Sequence, residues 1–148
     1  MAQTTTVSRV TPDYVEAGRA HILQGKDIPD GVAIFRIHGP FLFGATDKLR
    51  AIARDIESLP PVVLLRLRNT TAVDATGLAA IAELADTLRE SGRTLIVCGA
   101  PAQPAALMHR ADFEDHLGEG NICASVDDAL RRARALLMLQ RPAGPRPA

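Results

Sequence analysis

The sequence predicts one α/β domain, and three observations lead to this fold class. Apolar runs typical of strands alternate with amphipathic helical segments from Gly31 onwards, and the links between them are short. The run over 32–39 is mostly apolar, and the run over 62–67 is apolar at five of six positions, as in a parallel strand covered on both faces. The intervening helices are long enough for the crossovers that parallel strands require. The 148 residues suffice for one hydrophobic core.

The N-terminal segment gives a weaker pattern. "TTTVSRV" is rich in β-branched residues and predicts an edge strand. A helix is expected over "TPDYVEAGRAHILQG", with Thr11 as its cap and Pro12 in its first turn, and "KDIPDG" predicts a turn. We therefore expect a linker with an edge strand over 1–30, a folded domain over 31–140 and a disordered tail over 141–148.

The first half of the folded domain contains two strands and two helices. After the strand "VAIFRIHG", an amphipathic helix is expected to begin over 44–47 and to end at Pro60 and Pro61. Its inner positions are Leu49, Ile52, Ala53 and Ile56. After the strand "VVLLRL", a second helix is expected from about Gly77 to Glu90, ended by a left-handed Gly92. Its inner positions are Leu78, Ile81, Ala82, Ala85 and Leu88.

The second half continues the alternation. "TLIVCGA" predicts a buried strand, "QPAALMHRADF" a short helix and "NICA" a short strand. "SVDDALRRARALLMLQ" predicts a closing helix, with Ser125 as its cap and Asp127 and Asp128 in its positive first turn. The apolar residues 136–139 exceed one helical face, so they form either a packed last turn or a partner contact. Phe41 and Phe43 are expected in the core, with a partner contact as the alternative.

Composition argues against nucleic acid as a partner. Lys and Arg total 17 and Asp and Glu total 17, so no strong overall charge attracts nucleic acid or anionic lipid. Aromatic residues make up only 3% of the chain, which disfavours a stacking platform for single strands. Arg131, Arg132 and Arg134 are interpreted as a solvated helix face.

Cysteine usage and hydropathy indicate a cytosolic module. Cys98 and Cys123 have apolar or small neighbours and no ligand spacing, so free buried thiols are expected, with a disulfide as the alternative. "MAQTTTVSRV" lacks the pattern of a signal peptide, and no apolar run approaches the roughly 18–20 residues of a membrane span.

The sequence disfavours an enzyme. It contains no nucleophile elbow, and neither the GxxxxGK phosphate loop nor the GxGxxG dinucleotide fingerprint occurs. His109 and His116 are seven residues apart, with acidic residues between them, and are interpreted as surface residues beside a short helix rather than metal ligands. We therefore expect no catalytic residue, metal or cofactor.

The candidate site is the loop "NTTAVDATGL", where a buried strand leads into a helix. Ligands of open α/β sheets bind at such places, and free N–H groups at a helix start stabilise anions. Asp74, Thr76 and Gly77 occupy this start. Asp74 or Thr76 caps the helix in the simplest interpretation. Alternatively, the turn binds a nucleotide or an anion, or Thr76 accepts a phosphate that alters what docks on the loop.

The pattern strand–"NTTAVDATGL"–helix–"GRTLIVCGA"–"QPAALMHRADF" resembles the STAS domain, which sulfate transporters and anti-sigma-factor antagonists share. Its turn D-[SA]-[ST]-G-[LI] corresponds to 74–78, and the match covers roughly 32–139. "RIHGPFLFGATDKL" and "QPAALMHRADFED" are similar to the SulP-family anion transporters. The resemblance implies a small, mostly parallel sheet of four or five strands with four or five helices.

The resemblance also implies a function. A SulP-type STAS domain follows the transmembrane domain of an anion transporter, on the cytoplasmic side of the inner (plasma) membrane. It implies a non-catalytic regulatory domain whose partners are that transmembrane domain and other cytosolic regulatory proteins. The alternative is a stand-alone anti-sigma-factor antagonist that a kinase switches at Thr76. Ala75 stands where antagonists usually have serine, and Thr76 is a threonine where serine is commoner.

Overall fold

The computed structural model describes residues 5–10, 15–16, 19–20, 28–42 and 44–140. Its strands are β1 (Thr6–Val10), β2 (Val15–Glu16), β3 (Arg19–Ala20), β4 (Val32–His38), β5 (Val62–Arg66), β6 (Thr94–Cys98) and β7 (Ile122–Cys123). The central sheet has the order β1-β4-β5-β6-β7, and β2 and β3 form a separate pair. β1 is antiparallel to β4, while the other neighbours in the central sheet are parallel.

Five α-helices lie in the described residues. They are α1 (Asp47–Arg54), α2 (Ala75–Glu90), α3 (Ala102–Arg110), α4 (Phe113–Leu117) and α5 (Val126–Gln140). A five-stranded, mostly parallel sheet with these helices confirms the predicted α/β architecture. None of these helices combines the length and the apolar character needed to cross a membrane.

The central sheet is covered on both faces. On one face, α1 to α4 pack on alternate strand residues such as Phe35 and Leu65. On the other face, α5 packs on the residues between them, including Ile34 and Leu64. Because both sets of side chains are buried, β4 and β5 are apolar at nearly every position in the sequence.

Local signals correctly placed several helix ends. Gly92 has a φ of 81°, and the N–H of Arg93 donates to the carbonyl of Leu88 at 2.8 Å, which gives the expected left-handed end of α2. The Ser125 hydroxyl accepts from the N–H of Asp128 at 3.1 Å and caps α5. α1 ends earlier than its prolines predict, because a 3₁₀ turn over Ile56–Ser58 follows it.

Two helix predictions were wrong. The helix expected over 11–25 is wrong at Val15–Glu16 and Arg19–Ala20, which form β2 and β3 and pair antiparallel. The rest of that segment lies outside the described residues. The single helix expected over 103–113 is two helices. Asp112, with a φ of 49°, lies in the left-handed region between them, and this conformation ends α3.

The predictions for Phe41, Phe43 and residues 136–139 have different outcomes. Phe41 is fully buried, as expected, whereas Phe43 lies outside the described residues. At the end of α5, Leu136 and Leu137 pack against the core, but Met138 and Leu139 are 77% and 79% exposed. The last turn is therefore packed on one side only. The tail over 141–148 also lies outside the described residues.

Candidate functional site

The start of α2 is formed by Asp74, which is its N-cap residue. Its backbone is extended, with φ −101° and ψ 179°, and its side-chain Oδ1 accepts from the N–H of Gly77 at 2.7 Å. Its carbonyl accepts from the N–H of Leu78 at 2.9 Å, which is the first bond of the helix. The structure thus confirms that Asp74 caps α2. The helix begins at Ala75, two residues before the predicted Gly77, because its cap, Asp74, lies three residues before the glycine.

Thr76 does not share the capping role. It is the second residue of α2, and it is exposed, like Ala75 before it. Its hydroxyl is therefore accessible from solvent, while Asp74 is half-buried on the same turn. The three predicted residues lie together, but only Thr76 presents its side chain outward.

Gly77 is buried because the chain passes close to it. A Cβ at this position would lie 2.2 Å from the carbonyl oxygen of Phe41 and 3.0 Å from the Phe41 ring. Real Cβ atoms do not approach a backbone oxygen this closely, so only glycine fits without movement. The requirement comes from this tertiary contact.

The segment Ala72–Val73, which precedes α2, is held by hydrogen bonds on both sides. The N–H of Phe41 donates to the carbonyl of Ala72 at 2.8 Å, and Phe41 and Val73 form an isolated parallel bridge. On the other side, the side-chain amide of Gln103 accepts from the N–H of Val73 at 2.9 Å and donates to its carbonyl at 3.0 Å. The side chain of Gln103 therefore makes the two backbone bonds that a neighbouring strand would make. These bonds fix the position of Val73, the residue before Asp74.

A second set of bonds fixes the loop between β5 and this segment. The hydroxyl of Thr70, which is fully buried, donates to the carbonyl of Ile37 at 3.1 Å. The N–H of Gly39 donates to the carbonyl of Asn69 at 2.9 Å. Sequence reasoning missed Thr70 and Gln103. No local pattern distinguishes either residue, because the burial of Thr70 and its bond to Ile37, like the pairing of Gln103 with Val73, depend on the tertiary fold.

The remaining polar candidates lie elsewhere. His109 and His116 are both exposed, and the Nε2 of His116 lies 3.0 Å from the Oδ1 of Asp86, where it links α4 to α2. Within the described residues, no group of three or more His, Cys, Asp or Glu residues could hold a metal ion.

Both cysteines are free thiols. Cys98 is fully buried, as expected, whereas Cys123 is only half-buried. Burial raises the pKa of Cys98 to about 12, against an opposing effect of Arg66, and burial likewise raises the pKa of Cys123. Buried protonated thiols are poor nucleophiles, so Cys98 is a structural residue.

The fold and the helix-start loop define a small α/β domain with a capped turn exposed at the carboxyl end of its sheet. The STAS domain family matches residues 26–129, and the chain belongs to this family. The predicted resemblance is thereby confirmed.

Individual relatives are similar over most of this chain. A sulfate transporter family protein from Wolinella succinogenes is 34% identical in its crystal structure, with a TM-score of 0.70 over 76% of this chain and 93% of that chain. The SulP transporter STAS domain from Vibrio cholerae is 24% identical, with a TM-score of 0.66 over 77% of this chain and 89% of its own. Solved anti-sigma factor antagonists match at 14% to 17% identity, which shows the fold alone.

One curated relative is much longer. The Bacillus subtilis (strain 168) protein named "Putative sulfate transporter YvdB" is 22% identical over 111 residues, which cover 70% of this chain. This chain spans about a fifth of that relative, 21% of its length.

Proposed function

We propose that this chain is the cytoplasmic regulatory domain of a SulP-type transporter for sulfate or a related anion, on the inner side of the plasma membrane. It acts through protein contacts, with the transmembrane domain as first partner and other cytosolic regulatory proteins as further partners, and catalyses no reaction itself. The observation that carries the proposal is the 34% identity to a sulfate transporter family protein that the chain covers almost entirely, at 93%.

The contact surface we assign is the Asp74–Gly77 turn. Thr76 is exposed there, and the bonds from Gln103 and Asp74 hold the turn in one conformation, so a partner can dock without ordering it first. A nucleotide or anion at the same turn would use the helix N–H groups. It would have to lie beside the Asp74 carboxylate, which already accepts from Gly77. This makes a protein contact the better-supported use of the turn.

The test begins with the gene. We expect it to encode membrane-spanning helices ahead of residue 1; a separate gene for this domain, with no such helices, would contradict the proposal. In cells that express the encoded transporter, Thr76→Arg is then expected to change the uptake of labelled sulfate at equal protein level. Arg54→Ala, an exposed change at the end of α1, is the control and is expected to leave uptake unchanged. Equal uptake by wild type and Thr76→Arg would remove the turn from the contact.

The exposure of Thr76 also favours a second candidate, an anti-sigma-factor antagonist switched by phosphorylation. A phosphate on the second residue of α2 would meet the positive end of the helix dipole and the negative Asp74. Incubation with the cognate kinase and ATP, followed by intact mass measurement, tests this. One added phosphate that Thr76→Val abolishes is the expected result for the switch, and no added mass would refute it.

A further inference from the structure

The two cysteines lie opposite each other in the central sheet. Cys98 is the last residue of β6, and its register partner in the neighbouring parallel strand is Cys123, the last residue of β7. The N–H of Val97 donates to the carbonyl of Asn121 at 2.9 Å. The N–H of Gly99 donates to the carbonyl of Cys123 at 3.1 Å, so backbone bonds fix the pairing on both sides of Cys98.

This pairing brings the thiols within reach of a disulfide. Neighbouring strands are about 5 Å apart, so register partners fall within the roughly 4.4–6.8 Å between Cα atoms that a disulfide spans. Both side chains also lie on the same face of the sheet, because Cys98 belongs to the cluster beneath α5 and Cys123 packs against that cluster. Burial is the main cause of the raised pKa of Cys98, Arg66 opposes it, and the charge of Cys123 adds to it, as expected for adjacent thiols.

The two thiols differ in their access to solvent. β7 is an edge strand of only two residues, and Cys123 in it is half-buried. β6 lies between β5 and β7, and Cys98 in it is fully buried. A small oxidant therefore reaches Cys123 first. Cys98 is shielded from solutes, but it is already positioned to react with the sulfur beside it.

We propose that Cys98 and Cys123 are a site of reversible oxidation, where a peroxide converts the two thiols into a disulfide. The Cys123 thiolate first attacks one peroxide oxygen: an S–O bond forms, the O–O bond breaks, and the leaving hydroxide takes up the proton that the thiol released. The Cys98 sulfur then attacks the sulfenic acid: the S–S bond forms, the S–O bond breaks, and hydroxide leaves with the Cys98 proton as water. Two thiols are oxidised, and one hydrogen peroxide is reduced to two waters.

The disulfide would connect the edge strand to the interior of the sheet. It closes the loop over 98–123, which contains α3 and α4. Gln103, whose side chain holds Val73 next to the Asp74–Gly77 turn, lies within this loop. Oxidation thus ties to the sheet the segment that supports the turn, and a thiol reductant releases it. The proposal concerns the thiols alone and does not depend on the transporter role.

The experiment treats the reduced, desalted full chain with hydrogen peroxide under native conditions. Its intact mass is expected to fall by two hydrogen atoms without a cross-linked dimer on a non-reducing denaturing gel, and dithiothreitol should restore it. Tryptic digestion without reduction should yield a linked pair of peptides that contain Cys98 and Cys123. Added oxygen atoms on Cys123, with Cys98 still open to alkylation in urea, would overturn the proposal. This measurement on the wild type needs no variant.

Two variants separate the roles of the thiols, after circular dichroism has shown that both fold. Cys98→Ala removes the second thiol, so the sulfenic acid on Cys123 should persist and dimedone labelling should rise at least about tenfold over wild type. Cys123→Ser is the matched control, in which the fully buried Cys98 should stay reduced at the same peroxide dose. Equal dimedone labelling of wild type and Cys98→Ala would show that Cys98 does not react with the sulfenic acid, which would refute the proposed second step.

Discussion

The two faces of the central sheet bury different kinds of side chain. The face under α1 to α4 is apolar, and the helix-start turn is built onto it through Phe41. The face under α5 also has an apolar cluster, but at the carboxyl ends of its strands it carries a row of register partners. This row consists of Arg36, Arg66, Cys98 and Cys123.

The two faces therefore differ in how the polar groups at the carboxyl ends of their strands are arranged. At the Asp74–Gly77 turn, the side chain of Asp74 accepts from the N–H of Gly77, and Gln103 accepts from the N–H of Val73 just before the turn. The strand ends under α5 instead bury two arginines, Arg36 and Arg66, near an open pocket lined by His38 and Arg68. On the capped turn, Thr76 is exposed and Asp74 is half-buried.

The largest expected effect concerns the interior under α5. The pKa of Cys98 rises from 9.0 to about 12 through burial, so its thiolate population in the folded chain at pH 8 falls about 10³-fold. We expect alkylation of Cys98 by iodoacetamide at pH 8 to be slower by at least that factor in the folded chain than in urea. Peptide mass spectrometry measures the rate at each site. Half-buried Cys123 is the internal control and should react faster; equal rates would show that α5 does not seal this face.

The same group predicts a pH dependence of stability. Because the folded pKa of Cys98 lies above its unfolded value, its contribution is complete below pH 9 and is lost as the pH rises towards 12. The shift corresponds to about 4 kcal/mol across this window. Urea unfolding of wild type and Cys98→Ala measures it, and only the wild type should show this component of the decline. Parallel curves would argue against a raised pKa.

On the apolar face, the contact between Gly77 and Phe41 should dominate. Gly77→Ala places a methyl group 2.2 Å from a backbone oxygen, so we expect a loss of about 3 kcal/mol in the free energy of unfolding. Thr76→Ala, on the same turn but exposed, should change stability by less than about 0.5 kcal/mol. Urea denaturation compares the two. Equal urea midpoints for the two variants would mean that Phe41 moves away from residue 77 with little loss of stability.

Gln103 tests how firmly the turn is fixed. Gln103→Ala removes both bonds to Val73, and we expect a loss of about 2 kcal/mol at pH 7. Gln103→Glu keeps the acceptor for the Val73 N–H but places an anion against its carbonyl. This variant should be similarly unstable at pH 7 and recover relative to wild type near pH 4, where a protonated carboxyl can donate. A Gln103→Ala chain as stable as wild type would show that the two bonds to Val73 do not contribute to the free energy of unfolding.

The sequence predicted the features that local patterns encode. Asp74 as a cap, Gly92 in the left-handed region and Ser125 at the start of α5 each depend on a few adjacent residues. The alternation of strands and helices predicted the fold class, and the quoted motifs identified the family. The helix over 11–25 was wrong because Val15–Glu16 and Arg19–Ala20 form the antiparallel pair β2 and β3.

Features that depend on register could not be predicted. Arg36 and Arg66 occupy the same position in two parallel strands, "VAIFRIH" and "VVLLR", but only the pairing shows that they are neighbours. The burial of Gly77 requires the approach of Phe41, and the role of Gln103 requires Val73 beside it. In each case, residues about thirty or more positions apart meet.

The smallest expected effect separates the cap from the contact surface. Asp74→Ala removes the acceptor for the Gly77 N–H, so we expect a loss of about 1 kcal/mol in the free energy of unfolding. Asp74→Asn keeps an acceptor oxygen but removes the charge, so its stability should stay within a few tenths of a kcal/mol of wild type. If Asp74→Asn also leaves sulfate uptake by the encoded transporter unchanged, the carboxylate serves only the helix. Altered uptake at unchanged stability would place its charge in the partner contact, because the fold does not depend on that charge.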